Sequence, residues 1–335
     1  MPELRKDPIV GRWVIVSEDR ADRPNDFVEQ LPARRANVSC PFCGGNEASS
    51  ATELWALREA GTLPGTPGWR VRVVPNKYPA LYGAAPAGGG AGLFESLSGW
   101  GAHEVIVESP RHLTSTSELT DEELAEVLLA YRERLRELAT DPRFRYGMVF
   151  KNVGAAAGAS LEHTHSQLIG LPIVPINVAE EMAGSLDFFR REAACVYCRL
   201  LDEERALGTR VVMENDRAVA FCPFAGRFPW ETWILPKAHE SHFEQTSQEN
   251  LLQLAQIMKR VITSLERVID SPAYNYIIHT TPFDTPALGH YHWHMEIIPR
   301  VTHVAGFEWG TGFYINPLPP EEAAARLREA ADCGS

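Results

Sequence analysis

The chain is short of basic residues. Its 335 residues carry 32 Lys and Arg against 44 Asp and Glu, a formal net charge of −12. That deficit excludes bulk binding to nucleic acid or to an anionic membrane, both of which need a basic surface. It still allows a small phosphate ligand held by a few local arginines. No run approaches the roughly 20 apolar residues that span a bilayer. The first residues, "MPELRKDPIV", have no apolar core of a signal peptide. A cytoplasmic protein with no membrane partner is therefore expected. Cysteine is scarce, six in all, yet four of them form two Cys-x-x-Cys pairs, Cys40 with Cys43 in "CPFC" and Cys195 with Cys198 in "CVYC". In a reducing compartment such pairs are metal ligands or redox centres more often than structural disulfides.

The two pairs head two copies of one pattern. After each comes an apolar strand with a glutamate, then proline and histidine. Glu104 precedes His112 by eight residues in "HEVIVESPRH", and Glu231 precedes His239 by eight in "WETWILPKAH". A helix follows with a capping-box signature, Thr120 with Glu123 and Thr246 with Glu249. Leu124, Val127, Leu128, Tyr131, Leu135 and Leu138 recur at helical spacing, and Leu254, Ile257, Met258, Val261, Leu265 and Val268 repeat this. Each helix leads to a β-rich run, "YGMVFKNVG" or "YNYIIHTTP", and then to His-x-His, "HTHSQLIGLP" or "HWHMEIIPR". His163 follows His112 by 51 residues, and His292 follows His239 by 53. The reading is α+β, two repeated halves over 1–175 and 176–335, with "GAAPAGGGAG" (83–92) as a low-complexity loop.

Residues i and i+2 of a strand share a face, so His163 and His165 point together with Thr164 opposite. Zinc takes tetrahedral sulfur and nitrogen ligands, and two Cys with two His close a structural site. The repeat supplies Cys40, Cys43, His112 and His163, then Cys195, Cys198, His239 and His292. Thioredoxin-like redox pairs, metal-free remnants and hydrogen-bonded core histidines are the competing readings. If His163 binds metal, His165 stays free, and a neutral imidazole with one nitrogen pinned is a nucleophile or general base. Ser166 and Gln167 are candidate donors to an oxyanion. Asn152, Gly158 and Ser160 complete a polar cluster suited to a phosphoryl group. In the second half Met295 and Glu296 follow His294 with no amide, which suggests one catalytic and one structural half. In "EDRADRPNDF", Arg20 and Arg23 could clamp a pyrophosphate, or simply belong to a solvated charged segment.

Taken together, "DRADRP", "CPFCGGNE", "RVVPNKYPAL", "HEVIVESPRH", "FKNVGAAAGASLEHTHSQ", "FPWETWILPKAH", "HWHMEIIPR" and "GFEWGTGFYINP" resemble the galactose-1-phosphate uridylyltransferase family of the histidine-triad superfamily. The resemblance implies two histidine-triad α+β halves forming an extended antiparallel sheet flanked by helices, commonly as a homodimer that shares its active sites. It implies ping-pong nucleotidyl transfer. His165 takes the nucleotidyl group from a nucleotide-sugar, a sugar 1-phosphate leaves, and a second phosphate acceptor completes the cycle. Gln167 then holds phosphoryl oxygens, and Ser160, Asn152, Arg20 and Arg23 bind phosphate. Asn76 contacts the nucleoside, Phe307 and Glu308 fall in the region of the hexose contacts, and zinc near the nucleophile is structural. The chain departs from the family's "HPHGQ" in reading "HTHSQ", and Lys77 follows Asn76. "HxHSQ" with two Cys pairs also resembles the ADP-glucose phosphorylase branch, which moves adenylyl groups to phosphate. A zinc-stabilised nucleotide-binding protein without turnover and a nucleotide hydrolase are the remaining readings.

Overall fold

The computed structural model describes residues 2–18, 40–83 and 93–332. Arg20, Arg23 and most of the low-complexity loop lie outside the described residues.

The first half supplies β3 (Trp55–Arg58), β4 (Trp69–Pro75), β5 (Ala102–Val107), helix α1 (Asp121–Ala139), β6 (Tyr146–Val153) and β7 (His165–Leu171). Helices α2 (Ile176–Glu192) and α3 (Val196–Leu207) follow. The second half then supplies β8 (Val211–Glu214), β9 (Ala218–Phe221), β10 (Thr232–Pro236), α4 (Gln248–Ile269), β11 (Tyr274–His279) and β12 (His294–Pro299). These ten strands form one antiparallel sheet in the order β3-β4-β5-β7-β6-β11-β12-β10-β9-β8. The order reads alike from either end, and β6 meets β11 at the centre with Tyr276 opposite Lys151. A smaller sheet joins β1 (Glu3–Lys6) and β2 (Trp13–Val16) to β13 (Tyr314–Asn316), between the short helix α5 (Gly306–Thr311) and α6 (Pro320–Asp332). No helix of the described residues is long and apolar enough to cross a membrane.

One face of the long sheet is covered by α1 and α4, which pack on each other. The apolar stripe read from the sequence is the buried one. Leu124, Val127, Leu128, Tyr131 and Leu135 of α1 join Leu254, Met258, Val261 and Leu265 of α4 in a single core with Ile106, Val149, Leu168 and Ile278. The start of α1 is the expected capping box: the Thr120 hydroxyl accepts from the Glu123 amide and the Glu123 carboxylate from the Thr120 amide. The start of α4 differs. Its N-cap is Ser247, whose hydroxyl accepts from the Asn250 amide. Thr246 is buried and donates to Glu240, while Glu249 pairs with Arg217 instead of reaching back.

The opposite face is covered unequally. In the second half α2, α3 and the N-terminal segment close it. Ile9, Val196, Tyr197 and Leu201 pack on Val219, Phe221, Trp233 and Leu235. The approach is tight enough that a Cβ at Gly184 of α2 would sit 1.9 Å from the Ile9 carbonyl oxygen. In the first half, among the described residues, Phe42 of the first Cys pair lies on Trp69, Val74, Val105 and Val107.

Register also corrects one landmark of the repeat. Val105 stands opposite Gln167, whereas Trp233 stands opposite Glu296. Glu104 therefore corresponds to Thr232, and His103 to Glu231. Glu104 is buried against Arg134 of α1, and Glu231 lies on the other face beside Arg227. A one-residue shift moves a side chain to the other face of a sheet, so equal spacing to the following histidine did not mean equal position.

Candidate functional site

Cys40, Cys43, His112 and His163 converge, their ligand atoms all within 4.8 Å of one another. Cys43 Sγ lies 3.3 Å from His112 Nδ1, and Cys40 Sγ lies 3.5 Å from His163 Nδ1. A tetrahedral metal with sulfur at ~2.3 Å and nitrogen at ~2.0 Å has S···N edges of about 3.5 Å, so the set fits such an ion. The nitrogen that would bind is fixed for His163. Its Nε2 donates to the Ser109 carbonyl at 2.8 Å, which leaves the Nδ1 lone pair facing the sulfurs. Cys40→Ser is expected to lower bound metal by about one equivalent and to lower the melting temperature, because structural metal contributes folding free energy directly. Metal analysis and thermal unfolding read both; an unchanged metal content would refute this ligand set.

The loop that carries the Cys pair also reaches the next histidine. The Phe42 ring lies edge-on to His163 and 5.4 Å from the His165 ring. His163 lies in a bend two residues before β7, which begins at His165, so the two histidines do not share one strand. His165 Nδ1 donates to the His163 carbonyl at 2.7 Å, so its proton is on Nδ1 and the Nε2 lone pair is free. Burial holds the His165 pKa below the usual histidine value, and the Lys151 charge adds to this. The ring is neutral at pH 7, as a nucleophile requires.

Gln167, two residues on, shares the face of His165. Its Oε1 is 2.8 Å from His103 Nε2 and 3.5 Å from Asn76 Nδ2. Asn76 is thus joined to Gln167, and its Oδ1 accepts from the Tyr78 amide at 2.8 Å. Asn152, at the end of β6, accepts from Asn275 of the second half, and Asn275 also donates to the Ala157 carbonyl. The loop after β6 turns at Gly154, where φ is +80° and a Cβ would meet Ala273 at 2.8 Å. Both constraints demand glycine. Ser160 is exposed in this loop. Ser166 does not join the cluster. It lies on the helix-facing side of β7, fully buried, because adjacent strand residues face opposite ways.

Behind Thr164 lies a buried ion pair that sequence reading missed. Lys151 of β6 bonds the Glu108 carboxylate, and both bond the Thr164 hydroxyl at 2.6 Å. Tyr131 donates to Glu108 at 3.1 Å and meets Tyr276 at 2.5 Å. Burial alone would raise the Glu108 pKa, but the Lys151 ammonium and the hydroxyls hold it below the usual range. The residue between the two histidines is therefore anchored to the core.

The second half brings Cys195, Cys198, His239 and His292 together in the same way. Cys198 Sγ lies 3.3 Å from His239 Nδ1, whose Nε2 donates to the Leu288 carbonyl. His294, the counterpart of His165, is closed in. It stacks on His279 with ring centroids 4.7 Å apart and on Trp233 at 5.1 Å, and it is 1% exposed. Glu181, His279 and His294 form a third group able to hold a metal, a grouping invisible in sequence because α2, β11 and β12 each give one member. Burial would lower the His279 pKa, but Glu181 and Glu296 push it up to about 9. Phe307 and Glu308 sit on α5. Among the described residues Glu308 accepts from the Ala305 amide, and no hydrogen bond of either reaches the His165 cluster.

The sequence profile of the galactose-1-phosphate uridyl transferase N-terminal domain matches residues 1–175, and that of a domain of unknown function (DUF4921) matches 101–332. The chain is 37% identical to the ADP-glucose phosphorylase of Arabidopsis thaliana, over 98% of this chain and 93% of that protein. It is 28% identical to the galactose-1-phosphate uridylyltransferase of Thermotoga maritima, over 98% of each. The crystal structure of an Arabidopsis ADP-glucose phosphorylase with bound ADP-glucose superposes with a TM-score of 0.84 at 36% identity, over 98% of both chains. A uridylyltransferase structure superposes with a TM-score of 0.78 at 28% identity over 100% of both. Whole-chain likeness of this extent, on top of a histidine held neutral beside a Cys and His set, assigns the chain to the galactose-1-phosphate uridyl transferase family of nucleotidyltransferases.

Proposed function

We propose that the chain moves a nucleotidyl group from a nucleotide sugar to a phosphate acceptor through a covalent intermediate on His165. The observation that carries this is the bond from His165 Nδ1 to the His163 carbonyl, which leaves Nε2 as the nucleophilic atom. Nε2 attacks the α-phosphorus, a P–N bond forms, and the P–O bond to the sugar 1-phosphate breaks. An oxygen of the second phosphate then attacks phosphorus, and the P–N pair returns to Nε2. Gln167 holds the phosphoryl oxygens, Ser160 and Asn152 the neighbouring phosphate, and Asn76 the nucleoside side. Arg20 and Arg23 complete the phosphate contacts in this reading. Zinc is the metal for both Cys2His2 sets, and when bound it supplies a tetrahedral cross-link between the Cys loop and His163. The half over 176–335 is structural, the molecule is a cytoplasmic homodimer, and Phe307 and Glu308 serve the hexose side across the shared sites.

The donor in this reading is UDP-glucose and the acceptor galactose 1-phosphate, the activity named for the bacterial and fungal relatives. A second reading, adenylyl transfer from ADP-glucose to phosphate, is favoured by the higher identity to the Arabidopsis enzyme. Incubation with each nucleotide sugar alone, alkaline quench and peptide mass analysis separates them. A uridylyl adduct on His165 is expected for the first and an adenylyl adduct for the second. No adduct with either, in metal-loaded protein, would refute the covalent reading.

A further inference from the structure

We infer that His103 is a positioning residue that sets the direction of the Gln167 amide, so that its NH2 group faces the phosphoryl being transferred; this rests on the covalent reading above. In the β5–β7 pairing His103 stands opposite Ile169, and Val105 opposite Gln167. His103 and Gln167 are thus diagonal neighbours on the face of His165, within reach of long side chains. His103 Nε2 lies 2.8 Å from Gln167 Oε1, and His103 Nδ1 lies 3.0 Å from the Ala80 amide nitrogen.

The proton positions follow from the partners. A backbone N–H can only donate, so His103 Nδ1 accepts from Ala80 and carries no hydrogen. The proton of the neutral ring is then on Nε2 and is donated to Gln167 Oε1. Asn76 adds a second constraint. Its Oδ1 is taken by the Tyr78 amide, so its NH2 faces His103 and Gln167. The 3.1 Å contact from Asn76 Nδ2 to His103 Nε2 brings two donors together, and it is accommodated because both converge on the same oxygen of Gln167. With that oxygen held by two donors, the other end of the amide carries only N–H groups toward the site. The opposite flip has nearly the same shape and would aim lone pairs at anionic phosphoryl oxygens. Preorganised donors at such a position are worth about 10²–10³-fold in rate.

The second half shows the same diagonal used differently. The register counterpart of His103 is Glu231, and that of Gln167 is Glu296. There Arg227 bridges the two carboxylates. That arrangement presents no amide donor, in keeping with the enclosure of His294.

The test is a double-mutant cycle on the single-turnover rate of His165 nucleotidylation, with UDP-glucose and ADP-glucose as probes. His103→Leu is expected to slow the step by about 10²-fold while changing nucleotide-sugar affinity by less than about threefold, the pattern of an interaction realised in the transition state. Gln167→Ala is expected to cost at least as much. The double variant is expected to be no more than about twofold slower than Gln167→Ala, since His103 acts through the amide. His103→Gln, which keeps a donor to Oε1, is expected to recover the rate to within about tenfold of the wild type. Multiplying effects in the double variant, an unslowed His103→Leu, or no recovery by His103→Gln in protein of unchanged metal content would overturn the inference. Should His103→Leu misfold, the His103→Gln rate and its cycle with Gln167→Ala decide alone. Failure of the wild type to form any adduct would instead overturn the covalent reading.

Discussion

His165→Ala is expected to abolish nucleotidyl transfer, by roughly 10⁴-fold or more, while leaving fold and metal content as they are. The loss is total in character because the covalent route has no other nitrogen to use. His163 spends Nε2 on the Ser109 carbonyl and turns Nδ1 to the sulfurs. His294, the counterpart in the other half, is stacked between His279 and Trp233 and is 1% exposed. Retention of structure follows from what His165 touches: its hydrogen bond is to a backbone carbonyl, and none joins it to the Cys pair. The measurements are adduct formation with each nucleotide sugar, metal stoichiometry and the unfolding midpoint. Loss of metal together with activity would show that His163 and His165 have exchanged roles.

Lys151→Met is expected to be the most destabilising single change near the site, at about 3–5 kcal/mol. Lys151 and Glu108 are almost wholly removed from solvent, 1% and 0% exposed at their side chains. Bringing two charges out of water is costly, and the pair repays it only while both members and the Thr164 hydroxyl are present. Removing the ammonium leaves a buried carboxylate without its charge partner, and that, more than the lost attraction, sets the size of the effect. The double change Lys151→Met with Glu108→Gln is therefore expected to recover at least half of the loss. Urea unfolding of the single and double variants measures it. A loss from Lys151→Met under about 1 kcal/mol would show that the pair is not buried as described. The change should reach the site as well, because Thr164, between His163 and His165, is tied to this pair.

The parts of the molecule that were legible in the sequence are those fixed by spacing along one segment. A capping box and a 3.6-residue stripe specify α1 by local rules alone, and α1 starts and buries as expected. Two Cys-x-x-Cys pairs, each followed by two histidines, 51 residues apart in one half and 53 in the other, announce two ligand sets, because few arrangements other than a metal need that repetition. The cap of α4 slipped by one residue since Thr246 and Ser247 offer the same chemistry, and only burial of Thr246 against Glu240 chooses between them.

What the tertiary structure alone decided is which side chains meet across strands. Faces alternate along a strand, and register is set by packing and not by distance to the next motif. So Glu104 and Glu231, alike in sequence, lie on opposite faces, and Ser166, beside Gln167 in the chain, is turned into the core. Lys151 finds Glu108 from 43 residues away, and His103 finds Gln167 from 64. The difference between the halves is of the same kind. Residues 161–170 carry the proposed nucleophile and its amide, but it is α2, α3 and the N-terminal segment, folded over Phe221 and Trp233, that close the second face, while among the described residues only Phe42 packs on the apolar patch of the first. Local composition determined which groups the chain carries; long-range burial determined which of them have room to react.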